Sequence, residues 1–218
     1  MHSQLYVSLL KPEALSAEVH YVVTEAMQKS YAGVVVSPVW TARVKAMIAG
    51  SGVRVGTTVG FPHGANKSTL KAIESTSSLK DGADDLFVSA YLPTLIARDF
   101  SAARGELLEI VRSARATRRD AAIHVIIEAP LLLSLGAGRS EEAIAIACRA
   151  IRESGCDGVV LASGYHRAGG STSAALAAVK PHAEGLAVLA MGGLPNATVA
   201  QAFIDSGADR AVIDPSSS

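Results

Sequence analysis

Cysteine is almost absent from this chain. Cys148 and Cys156 stand eight positions apart, which excludes a disulfide framework and offers no spacing that suits zinc; both read as buried thiols. Neither sign of charge is in excess: 20 Lys and Arg balance 20 Asp and Glu, so no net field draws nucleic acid or anionic lipid. The local basic run at Arg115, Arg118 and Arg119 reads as a solvated helix end. A membrane-spanning run is missing as well, because the most apolar stretch, residues 121–135, is broken by His124, Glu128 and Pro130. The opening residues MHSQLYVSLLKPE lack the basic-then-apolar order of a signal peptide. The expected setting is the cytoplasm, with no membrane and no nucleic-acid partner.

What is present is apolar and finely alternating. Hydrophobic residues make up 49% and charged ones 18% of 218 residues, which suits one domain, 1–218, whose strands are buried on both faces. Short β-branched runs at 5–8, 33–37, 53–59, 84–89, 122–128, 158–162, 186–190 and 210–213 alternate with helical periods at 16–30, 39–51, 67–81, 102–117, 140–154, 171–180 and 198–206. That alternation predicts an α/β fold, a (β/α)8 TIM barrel. The related phrases DGAD (81–84), SGCD (154–157) and SGAD (206–209) put Gly where a helix stops and a turn starts the next strand. Ser140, followed by Glu141 and Glu142, reads as a helix cap. Only DPSSS follows the last strand, so the last outer helix is expected to be lacking, and the uncovered flank predicts a homo-oligomer or a partner subunit.

In such a barrel the chemistry sits at the C-terminal strand ends. In IHVIIEAP, His124, Ile126 and Glu128 share one face by the period of two. His124 and Glu128 form a candidate acid/base pair, or else two satisfied buried polar groups. The candidate ligand-binding set is Ser8, Thr57, Ser89 and Ser163 with the glycines Gly164, Gly169, Gly170, Gly192 and Gly193. The loop in DGVVLASGYHRAGGST (157–172) lets backbone amides approach a small-molecule ligand, although the strand before it offers no acid, base or nucleophile. His63 reads as fixing a turn or lining the mouth. His166 and Arg167 either meet an anion or stand solvated. Asp84, Asp85 and Glu128 are hard oxygen donors without a third ligand at suitable spacing, so neither metal nor cofactor is expected; Asp84 reads as a turn residue bonded to nearby backbone.

Taken together, LLKPEA (9–14), TTVGFPHGAN (57–66), LKAIEST (70–76), DGADDL (81–86), VIIEAP (125–130), SGCDGVV (154–160), SGYHRAGGST (163–172) and AMGGLPNATVAQAFIDSGADR (190–210) resemble the deoxyribose-phosphate aldolase family. The resemblance runs nearly end to end. It implies a class I aldolase barrel that cleaves 2-deoxyribose 5-phosphate through a lysine Schiff base. Against that pattern the family's FVKTSTGF falls on GVVLASGY, placing Val160 at the nucleophile. A second family lysine falls on Leu189, two aspartates on Phe87 and Tyr6, and a strand-five lysine on His124. The family's phosphate-closing hydroxyls fall on Ile213 and Asp214.

Three expectations follow. The first is a pseudoenzyme without Schiff-base chemistry, acting as a binding, regulatory or structural partner. The second is a repurposed lyase, isomerase or cyclase using His124 and Glu128 on a small carbonyl substrate. The third, ordinary aldolase activity, needs a lysine from elsewhere, and Lys71 and Lys180 both read as solvent-facing.

Overall fold

The computed structural model describes residues 4–215. Eight parallel strands pair in chain order and close on themselves: β1 (Leu5–Leu9), β2 (Gly33–Val36), β3 (Arg54–Val59), β4 (Asp85–Ser89), β5 (Ala122–Ile126), β6 (Gly158–Val160), β7 (Ala187–Met191) and β8 (Arg210–Ile213). Around them run α1 (Ser16–Gln28), α2 (Thr41–Met47), α3 (Ser68–Lys80), α4 (Leu92–Ile96), α5 (Phe100–Thr117), α6 (Ala129–Leu133), α7 (Ala137–Ser154), α8 (Ser173–Val179) and α9 (Ala197–Asp205). This is the (β/α)8 barrel that the alternation predicts. Among the described residues no α-helix follows β8, and residues 216–218 of the closing DPSSS lie outside them. No helix among the described residues is long and apolar enough to cross a membrane.

Because side chains alternate across each strand, the barrel has two apolar compartments. Outward residues such as Val34, Leu86, Ile123 and Leu161 belong to one continuous core cluster with Ile110, Leu132, Ile144 and Ile151 of the helices. Inward residues fill the axis as a separate cluster of Tyr6, Val35, Phe87, Ile126, Val160, Leu189, Met191 and Val212, with Leu10 beside them.

The three repeated Gly-x-Asp phrases have one structural meaning. Each glycine ends a helix with positive φ, at 98° for Gly82, 84° for Gly155 and 103° for Gly207. The aspartate then clips the preceding strand. Asp84 donates its N–H to the Val55 carbonyl (2.7 Å) and accepts the Val55 N–H on its carboxylate (3.0 Å). Asp157 does the same with Ile123, and Asp209 with Val188. Lys45 and Arg118 complete the partners of Asp84.

Local boundaries depart from expectation in three places. α7 starts at Ala137, so Ser140 lies inside its first turn, bonding the carbonyls of Gly136 and Leu133, and is not the cap. β5 stops at Ile126, and Glu128, with φ 50°, turns the chain into the short helix α6. α4 also interrupts what reads in the sequence as loop.

Candidate functional site

The inward residues from the N-terminal pole upward define what the barrel can do. At its floor Asp85 is fully buried and anchors a polar cluster. Arg54 reaches both of its carboxylate oxygens (2.8 and 2.9 Å), Tyr6 donates its hydroxyl at 3.3 Å, and His124 Nε2 stands 3.5 Å away. The His124 contact is electrostatic rather than a formed hydrogen bond, since neither ring nitrogen has a hydrogen-bond partner among the described residues. Arg210 donates to the Tyr6 hydroxyl at 3.2 Å. Burial works to raise the Asp85 carboxyl, but His124 and Arg54 together outweigh it and hold it at about 2. The Tyr6 phenol is pushed up to about 12, first by burial and then by the Asp85 charge.

Above that floor the axis is packed with Val35, Phe87, Ile126, Val160, Leu189 and Val212, each 0–1% exposed. Phe87 meets Tyr6 edge-on at 6.5 Å and lies 5.4 Å from the His124 ring. Each large ring packs over a glycine of the neighbouring strand, directly opposite for Tyr6 and His124 and diagonally for Phe87. A Cβ on Gly33 would strike the Tyr6 ring, one on Gly56 would come within 2.8 Å of Phe87, and one on Gly158 within 2.7 Å of His124. Sequence reasoning passed over these three glycines. The signal was there: a glycine inside a buried strand marks close approach by a neighbour.

The expected acid/base pair is not brought together. His124 belongs to the floor with Asp85, whereas Glu128 stands past the strand end, about 13 Å further along extended backbone, with Ile126 packed between them. Glu128 Oε1 accepts the Ser163 N–H at 3.1 Å, and its Oε2 is buried without a partner among the described residues. Burial raises its pKa, with the Ser163 hydrogen bond as a smaller opposing influence.

The candidate hydroxyls are largely engaged in holding strand ends. Ser8 donates to the Ile213 carbonyl and Thr57 to that of Val36, both at 3.1 Å, while Ser163 Oγ accepts the Tyr165 N–H at 3.0 Å. Ser89 Oγ is buried and unpartnered among the described residues. The glycines of the two late loops pack on each other. A Cβ on Gly164 would lie 2.8 Å from Gly192 Cα, and one on Gly170 or Gly192 would strike the opposite loop's backbone. Gly193 packs more loosely on Gly170, and Gly169 faces open space. Ser171 locks the pair by donating its hydroxyl to the Met191 carbonyl (2.6 Å) and accepting the Met191 N–H (3.1 Å).

Lys71 corrects the expectation of solvent exposure. It is wholly buried outside the barrel wall, donating to the Ser89 carbonyl at 2.7 Å and pairing with Glu106. Lys180 is exposed, as expected. Among the described residues no three His, Cys, Asp or Glu side chains are grouped to hold a metal ion.

No family model matches the chain. It is 35% identical over 204 residues to the deoxyribose-phosphate aldolase of Mycolicibacterium paratuberculosis, covering 93% of this chain and 87% of that one. To the deoxyribose-phosphate aldolase of Enterococcus faecalis it is 30% identical over 203 residues, covering 93% and 88%. Among solved structures, the aldolase QR15 superposes with a TM-score of 0.85 at 28% identity over 97% of this chain and 90% of that one. The tetrameric deoxyribose phosphate aldolase of Aeropyrum pernix gives 0.84 at 26%, over 97% and 85%. The chain belongs to the deoxyribose-phosphate aldolase family.

Proposed function

We propose that this member of the deoxyribose-phosphate aldolase family has relinquished Schiff-base chemistry and serves as a binding, regulatory or structural partner. The observation that carries this reading is the filled axis. Imine formation needs an amine that reaches a carbonyl carbon, and the axis holds Val160, Leu189 and Phe87 where the family resemblance places two lysines and an aspartate. The only buried lysine among the described residues, Lys71, is turned to the outer wall and held by Glu106. The ring-on-glycine pairs add support, because matched volumes are what a packed core requires. Self-association belongs to the same proposal: the Aeropyrum pernix relative is described as tetrameric, and this chain exposes Tyr21, Leu70 and Ile73.

One preparation tests both parts. Incubated with 2-deoxyribose 5-phosphate and sodium borohydride, the denatured chain keeps its mass, while the native mass exceeds that of a single chain. A borohydride-trapped adduct overturns the loss of imine chemistry, and a monomeric native mass overturns self-association.

A further inference from the structure

Outside the axis, the C-terminal rim carries a recess of about 410 Å³ whose walls include Pro62, His63, Tyr91, Tyr165, His166 and Arg167. The loops after β3, β4 and β6 build it, and they are braced against one another. Gly64 is pressed on the Ala90 carbonyl so closely that a Cβ would collide, and its N–H bonds the Gly60 carbonyl at 2.8 Å. The Tyr165 ring stands edge-on to Phe61 at 5.1 Å. Across the third loop, the Gly169 N–H reaches the His166 carbonyl (2.9 Å) and the Ala168 N–H reaches His166 Nδ1 (3.1 Å). Nδ1 is thus an acceptor, which leaves Nε2 as the donor of that imidazole.

Three features of the recess point to a ligand. Tyr91 and Tyr165 remain 41% and 40% exposed on a concave surface, as aromatic walls of binding sites do. Arg167 makes no hydrogen bond or ion pair among the described residues. No acidic residue is among those lining the recess, and the carboxylate influence on His166 comes from the buried Glu128. We propose that the rim recess binds a small planar organic anion. Its flat body lies against the tyrosines and prolines, and its phosphate or carboxylate meets Arg167 and the histidine donors through charge-assisted hydrogen bonds. The site stands outside the packed axis, so it holds independently of the reading of the interior.

The test is a titration of the full chain, followed by amide chemical shifts, with phenyl phosphate, benzoate and inorganic phosphate. Either aryl anion is expected to bind saturably, with shifts confined to residues 62–67, 91–93 and 164–168, and at least about tenfold more tightly than inorganic phosphate. Arg167→Ala, at an exposed position, weakens that binding about five- to tenfold, and Tyr165→Ala narrows the margin over inorganic phosphate. The proposal is overturned by no saturable binding of either aryl anion, by undiminished affinity in Arg167→Ala, by shifts elsewhere, or by inorganic phosphate binding as tightly. None of these outcomes bears on borohydride trapping, so the two readings fail separately.

Discussion

The barrel axis and its C-terminal rim treat large side chains in opposite ways. In the axis every ring has a seat: Tyr6 against Gly33, Phe87 against Gly56 and His124 against Gly158. At the rim Tyr91, Tyr165 and Arg167 face solvent around an open recess. Volume in the axis is spent on close packing, and the groups that could still recognise a molecule are gathered outside it. Loop residues are not needed to close the sheet, so the rim can vary while the barrel keeps its shape.

The largest expected effect tests the seating of the rings. Phe87→Ala should destabilise the fold by about 3–5 kcal/mol, the usual cost of emptying a core aromatic site. Gly56→Ala should cost about 1–3 kcal/mol by overpacking against the same ring. If the two are size-matched, Gly56→Ala is far cheaper once Phe87 is alanine, with a coupling of about 0.5–3 kcal/mol in urea unfolding. Strictly additive losses would mean that the axis is filled without being fitted.

The floor should respond next, and through pH. The Asp85 carboxyl is depressed to about 2 in the folded chain, below the usual aspartate value of about 3.9. Its stabilising contribution is therefore complete above about pH 4 and is lost as pH falls through about 2, where the native state must also take up the proton. Asp85→Asn should remove about 2–3 kcal/mol at neutral pH, an order-of-magnitude figure from that shift, and should flatten the acid limb of the stability profile. An unchanged acid limb would show that Arg54 and Arg210 do not depend on this carboxylate.

Much of this was legible in the sequence because repeated local chemistry announces itself. All eight strands fall where β-branched runs predict them, and the Gly-x-Asp phrases mark three strand entries. Period two placed His124, Ile126 and Glu128 on one face but could not show that β5 would stop at Ile126 and Glu128 turn into α6, or that Asp85 would claim the imidazole from a neighbouring strand. Lys71 misled for a related reason. A lysine in a helical pattern reads as solvated, and only the closed barrel brings Glu106 and the Ser89 carbonyl to bury it. The seats for the rings depend on strand register, which pairs Tyr6 with Gly33 and His124 with Gly158. Register across a barrel is a property of the whole sheet.

Glu128 lies at the boundary between the two regions and should give the smallest effect. It occupies a left-handed backbone position, one oxygen bonded to the Ser163 N–H and the other buried without a partner among the described residues. Burial raises its pKa above the ordinary glutamate value, against the lesser pull of the Ser163 bond. The folded state then binds this proton more tightly than the unfolded state, so stability is highest below about pH 4.3 and declines as pH rises through the folded value. Glu128→Gln keeps an acceptor for Ser163 and removes the charge. Its melting temperature should match that of the parent near pH 4.5 and equal or exceed it at pH 8, with a gain of up to about 1 kcal/mol. Parallel melting profiles across that range would place Glu128 with the solvated rim. A parent profile that falls while the variant's stays level would place it with the buried axis.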